Sequence, residues 1–274
     1  MFYLSKKRFD LKKYLKQKKT YEAVTVEFDE DNEPQIVFAE VTQDEEKEEH
    51  HKLLEYHSTL RHRIVEVPDA IYKAPGIRIF GRRIKSFLFT TDLALIRNSN
   101  ADAVMAVYPF TPEGIIIDSI VKVSSVPIVA GVGGGTTTGK RSVRVAFDAE
   151  QSGVFGVVVN APMKNEVIKE IDLRIDVPII ATVTSDKDDY IGKLNAGADF
   201  LNVSGAGKTA EIVRQIRKEI GSTVPIIATG GPSDDSVIKT IEAGANAITY
   251  TPPTSAEIFA EVMEQYRKVN LNDI

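Results

Sequence analysis

From Ser86 onward the chain alternates short apolar runs with longer amphipathic stretches. VPIVAG begins at Val126, VPIIAT at Val177 and again at Val224; their partners are GVFGVVVNAP from Gly153, GADFLNVSG from Gly197 and GANAITYTP from Gly244. SFLFTTD and ADAVMAVYPF precede them. Each run ends in Gly, Thr, Asn, Ser, Asp or Pro, and segments of helical periodicity separate them. The VPI element returns at roughly 50-residue intervals, as expected of repeated units. The pattern predicts eight strands, each followed by a helix, the last helix being SAEIFAEVMEQYRKV.

The strands are almost wholly apolar instead of alternating, which is the signature of parallel strands buried on both faces. In the helix AEIVRQIRKEIG, Ile212, Val213, Ile216 and Ile220 form one stripe, with Arg214, Arg217 and Lys218 elsewhere. An α/β protein with a (β/α)8 TIM barrel over residues 85–274 follows, with short helices because the span falls below the roughly 250 residues usual for the fold. A doubly wound open sheet is the alternative. Residues 1–84 lack the repeat and read as an N-terminal α+β appendage. In it TYEAVTVEF and PQIVFAEV flank DEDNE as a hairpin, and an acidic helix runs from Asp44 to Leu60. Before the hairpin, Lys6, Lys7, Arg8, Lys12, Lys13, Lys16, Lys18 and Lys19 face only Asp10. That run is either an amphipathic helix solvating its lysines or a contact for RNA or another anionic surface.

Composition narrows the chemistry. With 274 residues, 43% of them hydrophobic, the chain has material for a substantial core. It has no cysteine, which removes disulfides, thiolate metal sites, iron–sulfur clusters and a thiol nucleophile, and fits a reducing, cytoplasmic setting. No apolar stretch approaches the roughly 18 residues of a membrane span. A net charge of −5 argues against a nucleic-acid footprint over the whole protein. The histidines, His50, His51, His57 and His62, all precede the barrel. His50 and His57 share a helical face but stand about 10 Å apart, too far for one ion. No zinc, haem or iron–sulfur cofactor is expected; a magnesium site on Asp92 or Asp186, completed by phosphate oxygens, stays open.

In such a barrel, functional residues gather at the C-terminal strand ends. Asn160, Asn202, Ser204 and Thr182 break otherwise apolar strands there. Asn202 and Ser204 share one face, as do Thr90 and Asp92; helix capping is the competing explanation for any one hydroxyl. Asp92, Lys140 and Lys208 are the candidate acid, base or electrostatic groups, because a partly desolvated lysine titrates closer to neutrality. The loop GVGGGTTTGKRS matches GxxxxGK, but Arg141 stands where a P-loop needs Ser or Thr. Gly134, Gly135 and Thr136, with Lys140 and Arg141 at a helix start, still suit an anion; the alternative is a mobile glycine lid.

The segment IIATGGPSDDSVIKTIEAGANAI puts Gly230 and Gly231 before a helix capped by Ser233. It resembles the phosphate-binding (β/α)8 barrels, such as N-acetylmannosamine-6-phosphate epimerase, thiazole synthase and inosine monophosphate dehydrogenase. The resemblance covers roughly residues 177–255 at motif level, and implies a phosphate cradled by the TGG turn and the EAGA helix end. FTTDLALIRN, ADAVMAVYPFTP, GVGGGTTTGK, VVVNAP, NVSGAGKT and ITYTPPTSAE together resemble a group of bacterial barrels loosely labelled hydrolases. One departure stands out: the last strand ends in Tyr250, Thr251, Pro252 and Pro253, and the two prolines remove amide donors. Thr254 and Glu257 read as a capping box. The expectation is a homo-oligomeric enzyme, a hydrolase or an isomerase/epimerase, acting on a small phosphorylated ligand at the barrel mouth. The alternative is a ligand-sensing regulatory barrel whose charged N-terminal region contacts RNA or a protein partner.

Overall fold

The computed structural model describes residues 22–28, 34–40 and 64–272. The chain separates into two compact units, Met1–Thr59 and Leu60–Ile274. In the first, β1 (Glu22–Phe28) and β2 (Pro34–Glu40) pair antiparallel from Glu22↔Glu40 to Phe28↔Pro34, the pairing expected of the two runs around DEDNE. The basic run 6–19, the acidic helix 44–60 and all four histidines lie outside the described residues.

The second unit begins earlier than residue 85, and its reason is visible in the packing. After the short 3-10 turn Asp69–Lys73, β3 (Ile77–Ile79) and β4 (Arg82–Ile84) form a hairpin. Its turn residues Phe80 and Gly81 both have positive φ, 44° and 81°, as the tightest two-residue hairpins require. Phe80 meets the Phe155 ring edge-on, with centroids 5.4 Å apart. Ile77, Ile79 and Ile84 pack with Phe87, Met105, Val129, Val158, Ile180 and Ile227 in one buried cluster. The hairpin therefore plugs the barrel's N-terminal end and belongs with it.

Eight parallel strands close the barrel: β5 (Ser86–Phe89), β6 (Ala103–Ala106), β7 (Ile128–Gly133), β8 (Gly156–Val159), β9 (Ile179–Val183), β10 (Phe200–Val203), β11 (Ile226–Thr229) and β12 (Ala247–Tyr250), with β12 pairing back onto β5. Each is followed by a helix: α1 (Leu93–Arg97), α2 (Gly114–Val123), α3 (Lys140–Gln151), α4 (Asn165–Asp172), α5 (Tyr190–Asn195), α6 (Thr209–Ile220), α7 (Asp234–Glu242) and α8 (Ser255–Asn272). This is a (β/α)8 barrel, as the repeat predicts. Outward strand positions such as Leu88, Val104, Ala130, Val157, Ala181, Leu201, Ala228 and Ile248 join the helix stripes in a second, larger cluster. Strands buried on both faces explain the missing alternation.

The recurring Gly-Ala-Asp/Asn has a structural task at the N-terminal end. Asp199 accepts from the Ile179 amide and Asn246 from the Ile226 amide, each at 2.8 Å; Asp102 does the same for Lys85 and Ser86. Each polar side chain thus ties the start of its own strand to the preceding one. Gly244 ends α7 with φ 114°, and a Cβ there would meet Arg217 Cγ at 2.7 Å. Arg217 donates to the carbonyls of Gly244, Gly221 and Val224 and to Asn246 Oδ1. The EAGA helix end accordingly lies at the end of the barrel opposite the mouth, where it holds strands together and is not placed to cradle a phosphate.

Candidate functional site

The strand alternation that puts Ile180, Phe200, Ile227 and Ala247 inside the barrel puts Thr182, Asn202, Thr229 and Thr249 inside one step nearer the mouth. Register sets them in two pairs, Thr182 beside Asn202 and Thr229 beside Thr249, with Asn202 level with Ile227 so that Ser204 bridges to Thr229. Asn202 Nδ2 donates to Thr182 Oγ1 at 3.4 Å, and Thr229 Oγ1 donates to Ser204 Oγ at 3.3 Å. A continuous polar wall therefore runs over β9–β12. The facing positions on β5–β7 are Phe89, Val107 and Gly131, and Asn160 follows on β8.

Two atoms in this wall lack a partner. Asn202 Oδ1 and Thr249 Oγ1 are buried and accept or donate no hydrogen bond, in residues only 7% and 6% exposed. Leaving such a group desolvated and unpaired costs about 1–3 kcal/mol, so a fold keeps it where something else supplies the partner. A cavity of about 520 Å³ opens beside Thr229 and Thr249, rimmed by Gly231, Pro232, Asp234, Pro252 and Glu257. A second, of about 200 Å³, is lined by Tyr108, Phe110, Gly131, Gly135, Thr136 and Asn160. The Tyr108 hydroxyl accepts from the Glu113 amide at 2.8 Å, leaving the phenol hydrogen free to donate.

The glycine loop after β7 is a fastened turn. The Gly134 amide donates to the Thr137 carbonyl at 2.8 Å, and Ser142 Oγ donates to the same oxygen. Gly134 has φ 123°, and an added Cβ would lie 2.6 Å from the Asn160 nitrogen; the turn is pressed against the strand end that carries Asn160. Gly135, Thr136, Lys140 and Arg141 remain exposed, and the first turn of α3 carries no acidic residue. The helix dipole and both cations there favour an anion.

The other expected phosphate position is built differently. Ser233 caps α7, but Ser233 and Ser236 bond each other's backbone and side chain in a closed capping box, and Asp234 and Asp235 occupy the first turn. The Gly230 amide donates to the Thr249 carbonyl. Pro232, Pro252 and Pro253 offer no N–H. The Gly230, Ser233 and Ser236 amides are engaged, and the carboxylates of Asp234 and Asp235 oppose an anion here, which weakens Gly230 and Ser233 as phosphate donors.

Asp92, expected as a catalytic carboxylate, is the N-cap of α1. Its Oδ1 accepts from the Ala94 and Leu95 amides, and its Oδ2 from the Ser255 hydroxyl. The Ser255 hydrogen bond above all, with those two amides, holds its carboxyl below the usual range, which makes it a weak base with both oxygens in use. Lys208 ends the 3-10 turn Ala206–Lys208 and lines an outer cavity with Asp186, Lys187 and Glu211. Lys140 is exposed on the rim. The structure therefore brings Asn202 and Ser204 into one wall and Gly134, Gly135, Thr136 and Asn160 around one loop, but leaves the three proposed acid–base residues apart.

Asp92, with both carboxylate oxygens already accepting hydrogen bonds, has little left for a magnesium ion, and Asp92 and Asp186 cannot share one. The two follow β5 and β9, which stand diametrically opposite in an eight-stranded ring. Among the described residues no three His, Cys, Asp or Glu side chains gather where they could hold an ion.

No family model matches this chain, and neither does any curated protein. Its likeness is to solved structures. A phosphonopyruvate hydrolase, solved with oxalate and Mg2+, is 12% identical with a TM-score of 0.54, over 70% of this chain and 83% of that one. A phosphoenolpyruvate phosphomutase from Streptomyces platensis subsp. rosaceus is 14% identical, with a TM-score of 0.53 over 74% and 86%. A 2,3-dimethylmalate lyase of the PEP mutase/isocitrate lyase superfamily is 15% identical, with a TM-score of 0.52 over 79% and 88%. What is shared is the barrel fold.

Two features escaped the sequence reading. Thr249 was hidden behind its neighbours Tyr250 and Thr251, although counting by twos from Ala247 singles it out. Lys193 on α5 is buried, and its Nζ donates to the carbonyls of Ala161 and Met163 at 2.8 and 3.2 Å. Desolvation pushes its pKa down against the opposing pull of Asp188 and Asp189. It fastens the turn that follows Asn160. Among the described residues no helix is long and apolar enough to cross a membrane.

Proposed function

We propose that this chain is an enzyme that binds a small phosphorylated metabolite at the C-terminal mouth of its barrel and acts on it by proton-transfer isomerisation or epimerisation, or by hydrolysis. The observation that carries the reading is the pair of buried, unpartnered polar atoms on Asn202 and Thr249 in the polar wall of β9–β12. The phosphate goes to the exposed segment from Gly135 to Arg141, where amides, threonines and two cations meet the start of α3. Tyr108, which lines the cavity beside Gly135 and Asn160, and Lys140, exposed at the start of α3, are the groups available to move a proton. The names of the phosphonopyruvate hydrolase and phosphoenolpyruvate phosphomutase that share the fold agree with a small phosphorylated substrate. Inorganic phosphate and a panel of sugar phosphates should raise the Tm of the wild type and much less that of a Lys140→Gln/Arg141→Gln double variant. Equal shifts in both proteins, or none in either, remove the phosphate from this loop.

One observation favours a regulatory barrel instead: none of the inward-facing residues at the mouth is ionisable. A ligand that binds there unchanged, together with loss of a partner on deleting residues 1–19, would select that reading.

A further inference from the structure

Resting on the reading of the mouth as a binding site, we infer that the β9–β12 wall receives an uncharged, polyhydroxylated portion of the ligand, and that oxyanions are excluded from that depth. Thr182, Asn202, Ser204, Thr229 and Thr249 present only amide and hydroxyl groups. Asn202 spends Nδ2 on Thr182, so Oδ1 is left as an acceptor that needs a donor from the ligand. Thr249 Oγ1 can both donate and accept. A ligand hydroxyl has the chemistry to satisfy either atom. A carboxylate or phosphate oxygen would face the Asn202 carbonyl oxygen, no lysine or arginine lines the cavity beside Thr249, and burying an uncompensated charge is far more costly than burying a hydroxyl.

The surroundings point the same way. The cavity beside Thr229 and Thr249 has Asp234 and Glu257 on its rim, and Pro232, Pro252 and Pro253 where amide donors would otherwise be. Across the lumen, Phe89 and Val107 offer an apolar face suited to the carbon skeleton of a polyol or sugar. The ligand is thereby oriented: hydroxyls against β9–β12, and its anionic end, if it has one, toward the loop from Gly135 to Arg141.

The test measures binding calorimetrically with two sets of probes, the neutral pentoses and pentitols on one side and oxalate and inorganic phosphate on the other. The proteins are the wild type, Thr249→Val and Asn202→Leu. The expected result is binding of at least one neutral probe that weakens tenfold or more in both variants, with phosphate binding the same in all three proteins. Oxalate or phosphate binding that either variant abolishes overturns the inference, and so does neutral-probe binding that is absent or indifferent to both substitutions. Failure of phosphate to bind any of the three proteins would sink the proposed phosphorylated substrate and leave the neutral-probe result standing.

Discussion

Replacing Thr249 by valine should make the unliganded protein more stable. The side chain keeps its shape, and the hydroxyl it loses has no partner: Oγ1 is buried in a residue 6% exposed. An unpaired buried polar group costs about 1–3 kcal/mol, and replacing it by an apolar group of the same shape is neutral or favourable. The lower end applies here, because Thr249 borders a cavity that water can enter. A gain of about 1 kcal/mol raises the Tm of a domain this size by roughly 2–4 °C. Urea melts and thermal scans of ligand-free wild type and Thr249→Val, run side by side, measure the difference. A variant that melts below the wild type by a similar margin refutes the reasoning, since the hydroxyl would then be satisfied before any ligand arrives. The residue would be structural and not part of a waiting site.

Three further substitutions probe the frame around the mouth. Gly134→Ala combines φ 123° with a Cβ only 2.6 Å from the Asn160 nitrogen; a loss of about 2–3 kcal/mol in urea unfolding is expected, and an unchanged midpoint would mean the turn is not pressed on β8. Arg217→Met strips four hydrogen bonds from the lower end and should cost about 3 kcal/mol, with Arg217→Lys recovering little because an ammonium cannot span the same acceptors. Asp199→Asn copies the bond that Asn246 makes in the next unit. Desolvation first, and Asp172 next, raise the Asp199 pKa, so the folded state loses stability as pH climbs through that value. The variant should gain a small amount of Tm at pH 7, small because Asp199 is partly exposed, and none below about pH 3, where Asp199 is protonated in both states. A gain that persists in acid would contradict this account.

The barrel was legible because its information is periodic. Val126, Val177 and Val224 open equivalent strands, and the burial of both strand faces erases alternation from the core while keeping it at the mouth, where Asn202 and Ser204 announce themselves. Chemistry was harder to read, because the same residue types serve caps and sites. Asp92 directly precedes an apolar helix and is its cap; Asp234 and Asp235 behind the TGG turn complement the helix dipole against which a phosphate was expected. The segment from Ile64 to Ile84 carried no repeat, so nothing along the chain tied Ile77, Ile79 and Ile84 to the interior of a barrel that begins after them. Only a three-dimensional cluster reveals that.

The hairpin plug has a kinetic consequence. With Ile77, Ile79 and Ile84 sealing the far end, the described residues make the lumen a cup closed below. A ligand of the proposed site would enter and leave past the same rim, between the glycine turn after β7 and the proline-rich end of β12. Its exchange rate would then follow the mobility of that rim and not of the hairpin below.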